Sequence, residues 1–339
     1  MNQPKPVLIL GGTGQAGRDT AALLRRWYPD LPLTVAGRDL ARAQRVADEL
    51  GGATAVVIDL QRADLGLPSA EEHAAVVATL WDRELNGLHH AQQQGIPYLS
   101  ISSGLVDIPF EVVAAAQGPA PVLLASHFCA GTATLAAVHV ARELDRVDAV
   151  RVGAVLDEQD SGGPAGEADL ERWAVATSAG LQRRDGVFTW TDGSSAGAQV
   201  AATDGVLVPG QAVPILDVPS IAAATGARDV RFDLAVGESA GRRQGGSPSA
   251  EILFEIDGVD GTGAPRRIVR YLVHRNGQRP LTALGIALGV ERLLGLQGTA
   301  VAAGIHTPES LIDPAHAIAR LTEIGAEFVD AGDRLARVG

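Results

Sequence analysis

The feature that most constrains this chain is a glycine-rich loop that directly follows its first apolar run. Val7–Leu10 is followed by Gly11-Gly-Thr-Gly-Gln-Ala-Gly17, in which Gly12, Gly14 and Gly17 have the spacing G-x-G-x-x-G. After a strand and before a helix, these glycines allow a tight turn, close approach of a pyrophosphate to the backbone, and packing of helix on strand. The free N–H groups of the helix start then face the anion. This context predicts a dinucleotide site; the alternative is an ordinary glycine-rich turn.

The first 125 residues alternate short apolar runs with helix-like segments. Near-continuous apolar runs of this length are typical of parallel strands that are covered on both faces. The pattern predicts an N-terminal Rossmann domain with a doubly wound parallel sheet. The expected strands are Val7–Leu10, Leu33–Ala36, Ala55–Ile58, Ala74–Ala78, Tyr98–Ile101 and Val122–Ala125.

The remainder of the chain has longer apolar strands and more glycine-rich turns. Glu251–Ile256 and Arg266–Arg275 predict a hairpin. The overall fold class is therefore α/β, with the Rossmann domain joined to a smaller α+β domain that has a mixed or antiparallel sheet and serves substrate binding and dimerisation. We expect the first domain at 1–130, the second at 131–304, and 305–339 packing back onto the first. The polar segment 240–249 predicts a surface loop.

Composition limits the classes of partner. The 339 residues contain 28 Lys and Arg against 40 Asp and Glu, a formal net charge of −12, which disfavours nucleic acid and anionic membranes as partners. Cys129 is the single cysteine, so an intrachain disulfide and a cysteine-based zinc cage are excluded, and we expect no metal. No apolar run approaches 18 residues. We expect a cytoplasmic homodimer that acts on a small-molecule substrate.

The residue at the end of the second strand indicates which dinucleotide binds. An NAD site normally has an acidic residue there, and Gly37 takes that place. Arg38 follows, and a guanidinium can bind a 2′-phosphate bidentately, so NADP(H) is predicted rather than NAD(H). Asp39 can accept from a ribose hydroxyl or cap the next helix, and Asp59 can reach the adenine amino group or serve a turn. The predicted cofactor-binding residues are Gly12, Thr13, Gly14, Gln15, Ala16, Gly17, Arg38, Asp39, Asp59, Leu60, Thr79 and Ser102.

Three segments together resemble the NADP-binding domain of the saccharopine dehydrogenase (saccharopine reductase-like) family: residues 7–17, 36–43 and 57–60. The stretch 98–104 resembles the family's fifth-strand segment, and 127–131 resembles its Gly-Phe-x-Pro-Gly turn. The resemblance covers most of the chain and implies hydride transfer from NADPH to a C=N or related polarised double bond of a substrate held between the two domains. Ser100, His127 and Cys129-Ala130 depart from the family's usual aspartate, glycine and Asp-Pro.

Candidate catalytic residues lie after the sixth strand and on the fifth. His127 has a pKa suited to acid catalysis, or it is hydrogen-bonded at a domain junction. Cys129 is a nucleophile or a packed thiol, and Tyr98 binds the ligand or belongs to the strand core. Candidate substrate-binding residues are Ser103, Gly131, Gly163 and Gly166, the last two in a turn that either offers N–H donors to a carboxylate or is plain surface. An enoyl or carbonyl reductase and a non-catalytic NADP-binding redox sensor are the alternative functions.

Overall fold

The computed structural model describes residues 5–68, 71–160, 162–163, 166–168, 171–172 and 179–331. The chain divides into two compact units. The first comprises the residues up to Ser126 together with Gly163–Asp169 and Thr282–Ile312. The second comprises His127–Gly162, Leu170–Leu281 and the residues from Asp313 onwards.

The first unit is built from alternating strands and helices up to residue 124. These elements are β1 (Val7–Leu10), α1 (Gln15–Trp27), β2 (Leu33–Gly37), α2 (Leu40–Leu50), β3 (Ala53–Val57), β4 (Ala75–Ala78), α3 (Asn86–Gln94), β5 (Tyr98–Ser100), α4 (Ile108–Ala115) and β6 (Pro121–Leu124).

The rest of the chain begins with a 3₁₀ turn at Phe128–Gly131. The elements that follow are α5 (Thr132–Ala141), β7 (Arg146–Asp157), β8 (Gly180–Arg184), β9 (Val187–Thr191), α6 (Gly193–Ala196), β10 (Gly197–Ala201), β11 (Leu207–Ala212), α7 (Asp217–Thr225), β12 (Asp229–Gly237), α8 (Ala240–Arg243), β13 (Ala250–Val259), β14 (Pro265–His274), α9 (Arg279–Leu293), β15 (Gly304–His306), α10 (Pro308–Leu311), α11 (Pro314–Glu323) and β16 (Glu327–Asp330).

The sheet of the first unit has seven parallel strands in the order β15-β6-β5-β4-β1-β2-β3. All six strands predicted from the apolar runs are present, with ends that differ by at most two residues. Strands β1, β4 and β6 are buried along their whole length, as expected for strands covered on both faces. Strand order reverses between β1 and β4. This switch point creates the crevice at the carboxyl ends of the strands where open α/β sheets bind ligands.

The sheet of the second unit is mixed. Its main path is β10-β11-β12-β7-β13-β14-β16, with β8 and β9 attached to β12. Strands β12 and β7 are parallel, whereas β13 and β14 form the expected antiparallel hairpin, paired from Ala250 with His274 to Val259 with Pro265. The α/β fold class with a second, mixed sheet is confirmed.

The division of the later residues differs from the expected boundaries. Residues 282–312 belong to the first unit, because β15 pairs with β6 and α9 packs on the sheet. A Cβ on Gly289 of α9 would lie only 2.5 Å from Leu99 Cδ1 and 2.8 Å from Leu123 Cδ2. Residues from Asp313 onwards belong to the second unit, where β16 pairs with β14. Of the segment 305–339 that was expected to pack onto the first domain, residues 305–312 do so, whereas the described residues from 313 belong to the second unit.

Segment 240–249 is in part the surface loop that was expected, since residues 244–247 are exposed. It begins with α8, and its ends are fastened to a buried carboxylate. Glu251 accepts hydrogen bonds from Ala240 N at 2.7 Å and Ser249 Oγ at 2.8 Å, and Arg243 forms an ion pair with Asp204. The polar composition therefore predicted the exposed middle of the segment correctly, whereas the polar groups at its ends satisfy one another.

None of the helices in the described part of the chain is both long and apolar enough to cross a membrane.

Candidate functional site

The glycine loop connects β1 to α1, and its conformation depends on two different glycines. Gly11 has φ +79°, a left-handed conformation that favours glycine. Gly12 was expected to provide this turn, but it instead packs against β2. Its N–H donates to Ile9 O and Ala36 O, and a Cβ there would lie 3.0 Å from Val35 Cγ1. Gly11 therefore provides the turn, and Gly12 provides the close packing of the loop against β2.

Gly14 and Gly17 differ in what surrounds them. A Cβ on Gly17 would meet Gly11 O at 2.6 Å and Thr79 Oγ1 at 2.9 Å, so Gly17 lets α1 pack on the loop. Gly14, the exposed N-cap of α1, would place its Cβ near only Gly11 O, at 3.1 Å. Within the described residues no side chain caps α1. The loop therefore leaves open the space and the N–H groups that a pyrophosphate needs, and it fits a dinucleotide.

The other residues predicted on the loop support it or flank it. Thr13 lies against Gly37, where a Cβ would be 3.0 Å from Thr13 Cγ2. Gln15 is exposed and Ala16 half-buried on the first turn of α1. Thr79 is buried, and its hydroxyl donates to Leu10 O at 2.9 Å. Thr79 thus fastens β4 to β1 beneath the loop.

Two arginines follow β2: Arg38 comes directly after the strand, and Arg42 lies in the first turn of α2. Arg38 is exposed and has no hydrogen-bond or ion-pair partner among the described residues. Asp39 caps α2, since its Oδ1 accepts from Arg42 N at 3.1 Å, so of its two open roles the structure shows the cap. The sequence reading missed Arg42, whose guanidinium donates to Thr13 O at 3.0 Å and bridges α2 to the glycine loop. The sequence could have indicated Arg42 through its position in the first turn of α2, close to the glycine loop.

Asp59 and Leu60 follow β3. Asp59 is exposed, and its Oδ1 accepts from Gln61 N at 3.0 Å, which is the turn role. The carbonyl of Leu60 accepts from Asn86 Nδ2 at 2.7 Å. Both residues lie at the same sheet edge as Arg38, because β3 and β2 are parallel neighbours.

A buried carboxyl group lies beyond the carboxyl end of β5, and the sequence reading missed it. Glu111 of α4 accepts from Ser100 Oγ at 2.9 Å and from Ser103 Oγ at 2.6 Å. Burial, the largest effect, raises the pKa of Glu111, although both serine hydrogen bonds lower it. Ser102, beside Ser103, is buried as well. Glu111 lies on an apolar helix with no motif to indicate it, so only the tertiary structure identifies it.

Tyr98 belongs to the core, so the catalytic assignment is wrong and the strand-core alternative is right. Its side chain is fully buried and its hydroxyl donates to Asp82 Oδ2 at 3.4 Å. Asp82 also accepts from the backbone N–H groups of Asn86 and Gly87 at the start of α3. Burial raises the pKa of Tyr98 well above its usual value. A phenol fixed in this way cannot contact a substrate.

The turn that precedes α5 in the second unit has an unusual backbone. Cys129 and Ala130 have φ of 50° and 52°, followed by Gly131 at 91°. Left-handed non-glycine residues cost roughly 1 to 2 kcal/mol each. Asp217 of α7 stabilises the turn by accepting from Phe128 N at 2.8 Å, and it also accepts from Thr134 Oγ1. No sequence signal links Asp217 to a turn about ninety residues away.

His127 and Cys129 are both buried in this turn region. His127 Nε2 is 2.8 Å from Ser220 Oγ, while Nδ1 has no hydrogen-bond partner among the described residues. Burial lowers the pKa of His127 to about 3, so the imidazole is neutral at pH 7 and cannot be the expected acid. The structure instead agrees with the alternative that His127 is a hydrogen-bonded structural residue. Cys129 is 5% exposed, which matches the packed thiol rather than a reactive thiolate.

The predicted glycine turn at 157–166 lies only partly within the described residues, since 161, 164 and 165 are outside them. Asp157 accepts from Ser239 N at 2.7 Å and pairs with Arg242, so its carboxylate serves the second unit's own structure. Gly163 is buried with φ +69°, and a Cβ there would lie 3.4 Å from the Gln15 side chain. Gly166 has open space around its Cβ position. Their substrate role stays a prediction.

In the part of the chain that the structure describes, no three His, Cys, Asp or Glu side chains are arranged to hold a metal ion. The first unit brings the glycine loop, Arg38 and the serines after β5 to one edge of one sheet, the arrangement of a dinucleotide-binding α/β fold.

The comparison with solved structures identifies the particular fold. Saccharopine dehydrogenase (L-Glu forming) from Saccharomyces cerevisiae is similar with a TM-score of 0.71 at 12% identity, over 96% of this chain and 99% of that one. The chain therefore has the fold of saccharopine dehydrogenase, which confirms the resemblance seen in the sequence at the level of the fold. Scyllo-inositol dehydrogenase from Lactobacillus casei reaches a TM-score of 0.48 at 16% identity, over 98% and 100% of the two chains, too low to support a conclusion. No family model and no curated protein matches the sequence.

Proposed function

We propose that this chain is an NADPH-dependent reductase that acts on the C=N bond of a small amino-acid-derived or amine substrate. The observation that carries the cofactor part is Arg38. It follows β2, is exposed, and has no partner among the described residues, at the place where an NAD-binding chain has an acidic residue. The neighbouring carboxylate of Asp39 is engaged in capping α2 and so does not take the role of that acid.

Different residues of the first unit bind different parts of the dinucleotide. The N–H groups at the start of α1 bind the pyrophosphate, and Gly14 leaves room for it. Arg38 binds the 2′-phosphate, with Arg42 beside it holding the loop through Thr13 O. Asp59 and Leu60 lie toward the adenine, and Ser102 and Ser103 toward the nicotinamide. When bound, NADPH supplies the hydride.

The state of the three predicted catalytic side chains favours a C=N bond over a carbonyl. His127 is neutral, Tyr98 is in the core, and Cys129 is buried. Reduction of a carbonyl oxygen needs a proton donor, whereas a protonated imine brings its own proton and needs mainly positioning. The resemblance of the sequence to the saccharopine dehydrogenase family implies a reaction of this kind, and the yeast protein of the same fold is named a saccharopine dehydrogenase.

The cofactor part is tested by equilibrium binding of NADPH and NADH to the wild type, Arg38→Ala and Arg45→Ala. Losing a charge-assisted contact of about 1.5 to 3 kcal/mol raises the Kd for NADPH roughly 10- to 150-fold in Arg38→Ala and leaves NADH unchanged. Arg45, another exposed arginine of α2, is the control and should change neither. Equal affinities for both cofactors in all three proteins would refute the NADP(H) assignment.

The substrate part is tested by NADPH oxidation with mixtures of keto acids and amines, compared with ketones and enones alone. Turnover that requires the amine supports C=N reduction. Turnover with ketones or enones alone indicates the carbonyl or enoyl reductase, and tight binding without any turnover indicates a redox sensor. The homodimer and the cytoplasmic location stay predictions; sedimentation of the purified chain tests the first.

A further inference from the structure

A buried polar cluster lies at the carboxyl ends of β5 and β6, and of its members only Ser103 has a role in the function proposed above. This Glu111 cluster consists of Ser100, Ser103, Glu111 and Ser126, each at most 5% exposed. Ser100 and Ser103 donate their hydroxyl groups to the two carboxyl oxygens of Glu111, and Ser103 N donates to Ser126 Oγ at 3.0 Å. The carboxyl group is thereby fixed in position and separated from bulk water.

The sheet order places this cluster in the half of the crevice opposite Arg38. Strands β2 and β3 lie on one side of β1, and β4, β5 and β6 lie on the other. A dinucleotide crosses such a switch point with its pyrophosphate on the loop after β1. Because Arg38 follows β2, the adenosine half lies on that side. The nicotinamide half then lies over the ends of β4, β5 and β6, where the Glu111 cluster is found.

We propose that Glu111 is a positioning residue that, through Ser103, favours binding of the oxidised, positively charged nicotinamide ring over the reduced, neutral one. This inference rests on the proposed function. The hydroxyl protons of Ser100 and Ser103 point to the carboxyl group, so the lone pairs of Ser103 are left to accept from a ligand N–H. A negative charge held one side chain away also attracts a positive ring, and it does so strongly because the surroundings are dry.

The strength of this preference depends on whether Glu111 is charged. Burial raises its pKa, and the neighbouring carboxyl groups of Asp82 and Asp107 raise it further against the lowering effect of the two serines. The phenol of Tyr98 also faces this group. Glu111 therefore gains its charge at a higher pH than an exposed glutamate does. The ratio of Kd for NADPH to Kd for NADP⁺ should rise with pH.

The test measures the Kd of NADP⁺ and of NADPH between pH 5.5 and 8.5 by titration of the wild type, Glu111→Gln and Glu111→Asp. For a charge in a partly buried site, ionisation of Glu111 should raise the wild-type ratio about tenfold. Glu111→Gln should remove the pH dependence by weakening NADP⁺ binding about tenfold with NADPH nearly unchanged. Glu111→Asp should retain part of the dependence. Glu84→Gln, which removes an exposed charge from the same unit, should behave as the wild type.

Retention of the wild-type ratio and pH dependence by Glu111→Gln overturns the inference, because a merely structural role would affect both cofactor forms alike. If that variant does not fold, Ser103→Ala decides. Loss of its hydrogen bond raises the pKa of Glu111 and should move the pH dependence to higher pH, so an unaltered pH dependence there is equally adverse. If the wild type binds neither NADP⁺ nor NADPH, the proposed function itself fails.

Discussion

Gly14→Ala separates a cofactor-binding role of the glycine loop from a structural one. Gly14 is exposed and has φ −77°, a conformation open to any residue, and its added Cβ would come within 4 Å of Gly11 O alone, at 3.1 Å. The methyl group would then project into the space that the pyrophosphate needs. The folded chain should tolerate this change, whereas a bound dinucleotide should not.

Gly17→Ala is the matched variant, because its Cβ would meet two loop atoms and Thr79 Oγ1 at 2.6 to 2.9 Å. Overpacking of this kind typically costs about 1 to 3 kcal/mol. For Gly14→Ala we expect the free energy of unfolding to fall by no more than about 1 kcal/mol, the loss typical when alanine replaces a better N-cap residue. Loss of charge-assisted backbone hydrogen bonds worth about 1.5 to 3 kcal/mol should raise its Kd for NADPH by roughly 10- to 150-fold.

The assay combines urea denaturation with fluorescence titration of NADPH on the wild type and both variants. The expected result is a stable Gly14→Ala protein that binds NADPH poorly and a destabilised Gly17→Ala protein. NADPH binding by Gly14→Ala with wild-type affinity would show that the loop is an ordinary glycine-rich turn and would refute the reasoning.

Two further predictions concern stability. Burial holds the pKa of His73 at about 4, and Glu71 at 3.7 Å forms no ion pair with it at neutral pH because the imidazole is uncharged. Below pH 6.5 the unfolded chain therefore binds more protons, and the free energy of unfolding falls by about 3 kcal/mol as the pH drops from 6.5 to 4. Urea denaturation at several pH values should show a smaller fall in the free energy of unfolding for His73→Leu than for the wild type. The exposed His89→Leu variant should show the same fall as the wild type. Asp217→Ala leaves two donors unpaired and should cost about 2 to 4 kcal/mol by the same method, against about 1 kcal/mol for Thr134→Val.

Most of the first unit could be predicted because its signals are local. An apolar run such as Val7–Leu10 needs only its own residues to indicate a buried strand, and Asp39 with Gly51 marks both ends of α2. The place of residues 282–304 in the first unit and of 313–331 in the second could not be predicted. Strand β15 pairs with a strand almost two hundred residues earlier, and nothing in its three residues specifies that partner.

The candidate site shows the same division. The glycine spacing and Arg38 were visible in the sequence because a phosphate site depends on backbone conformation and on one charged side chain. The chemistry around β5 was not visible. Tyr98 is the kind of residue that often contacts ligands, but its strand is covered on both faces and its hydroxyl is turned to Asp82. Glu111 is the kind of residue that normally faces solvent, but two serine hydroxyls make its burial possible.

The sequence by itself determined the parallel sheet, the glycine loop that opens α1, and the arginine in place of an acid after β2, because each depends on residues a few positions apart. Only the tertiary structure decided that His127 is a buried neutral imidazole, that Asp217 stabilises the left-handed turn after it, and that the carboxyl group of Glu111 is buried against Ser100 and Ser103. Burial lowers the pKa of His127 and raises that of Glu111, and such burial arises only when distant segments pack together.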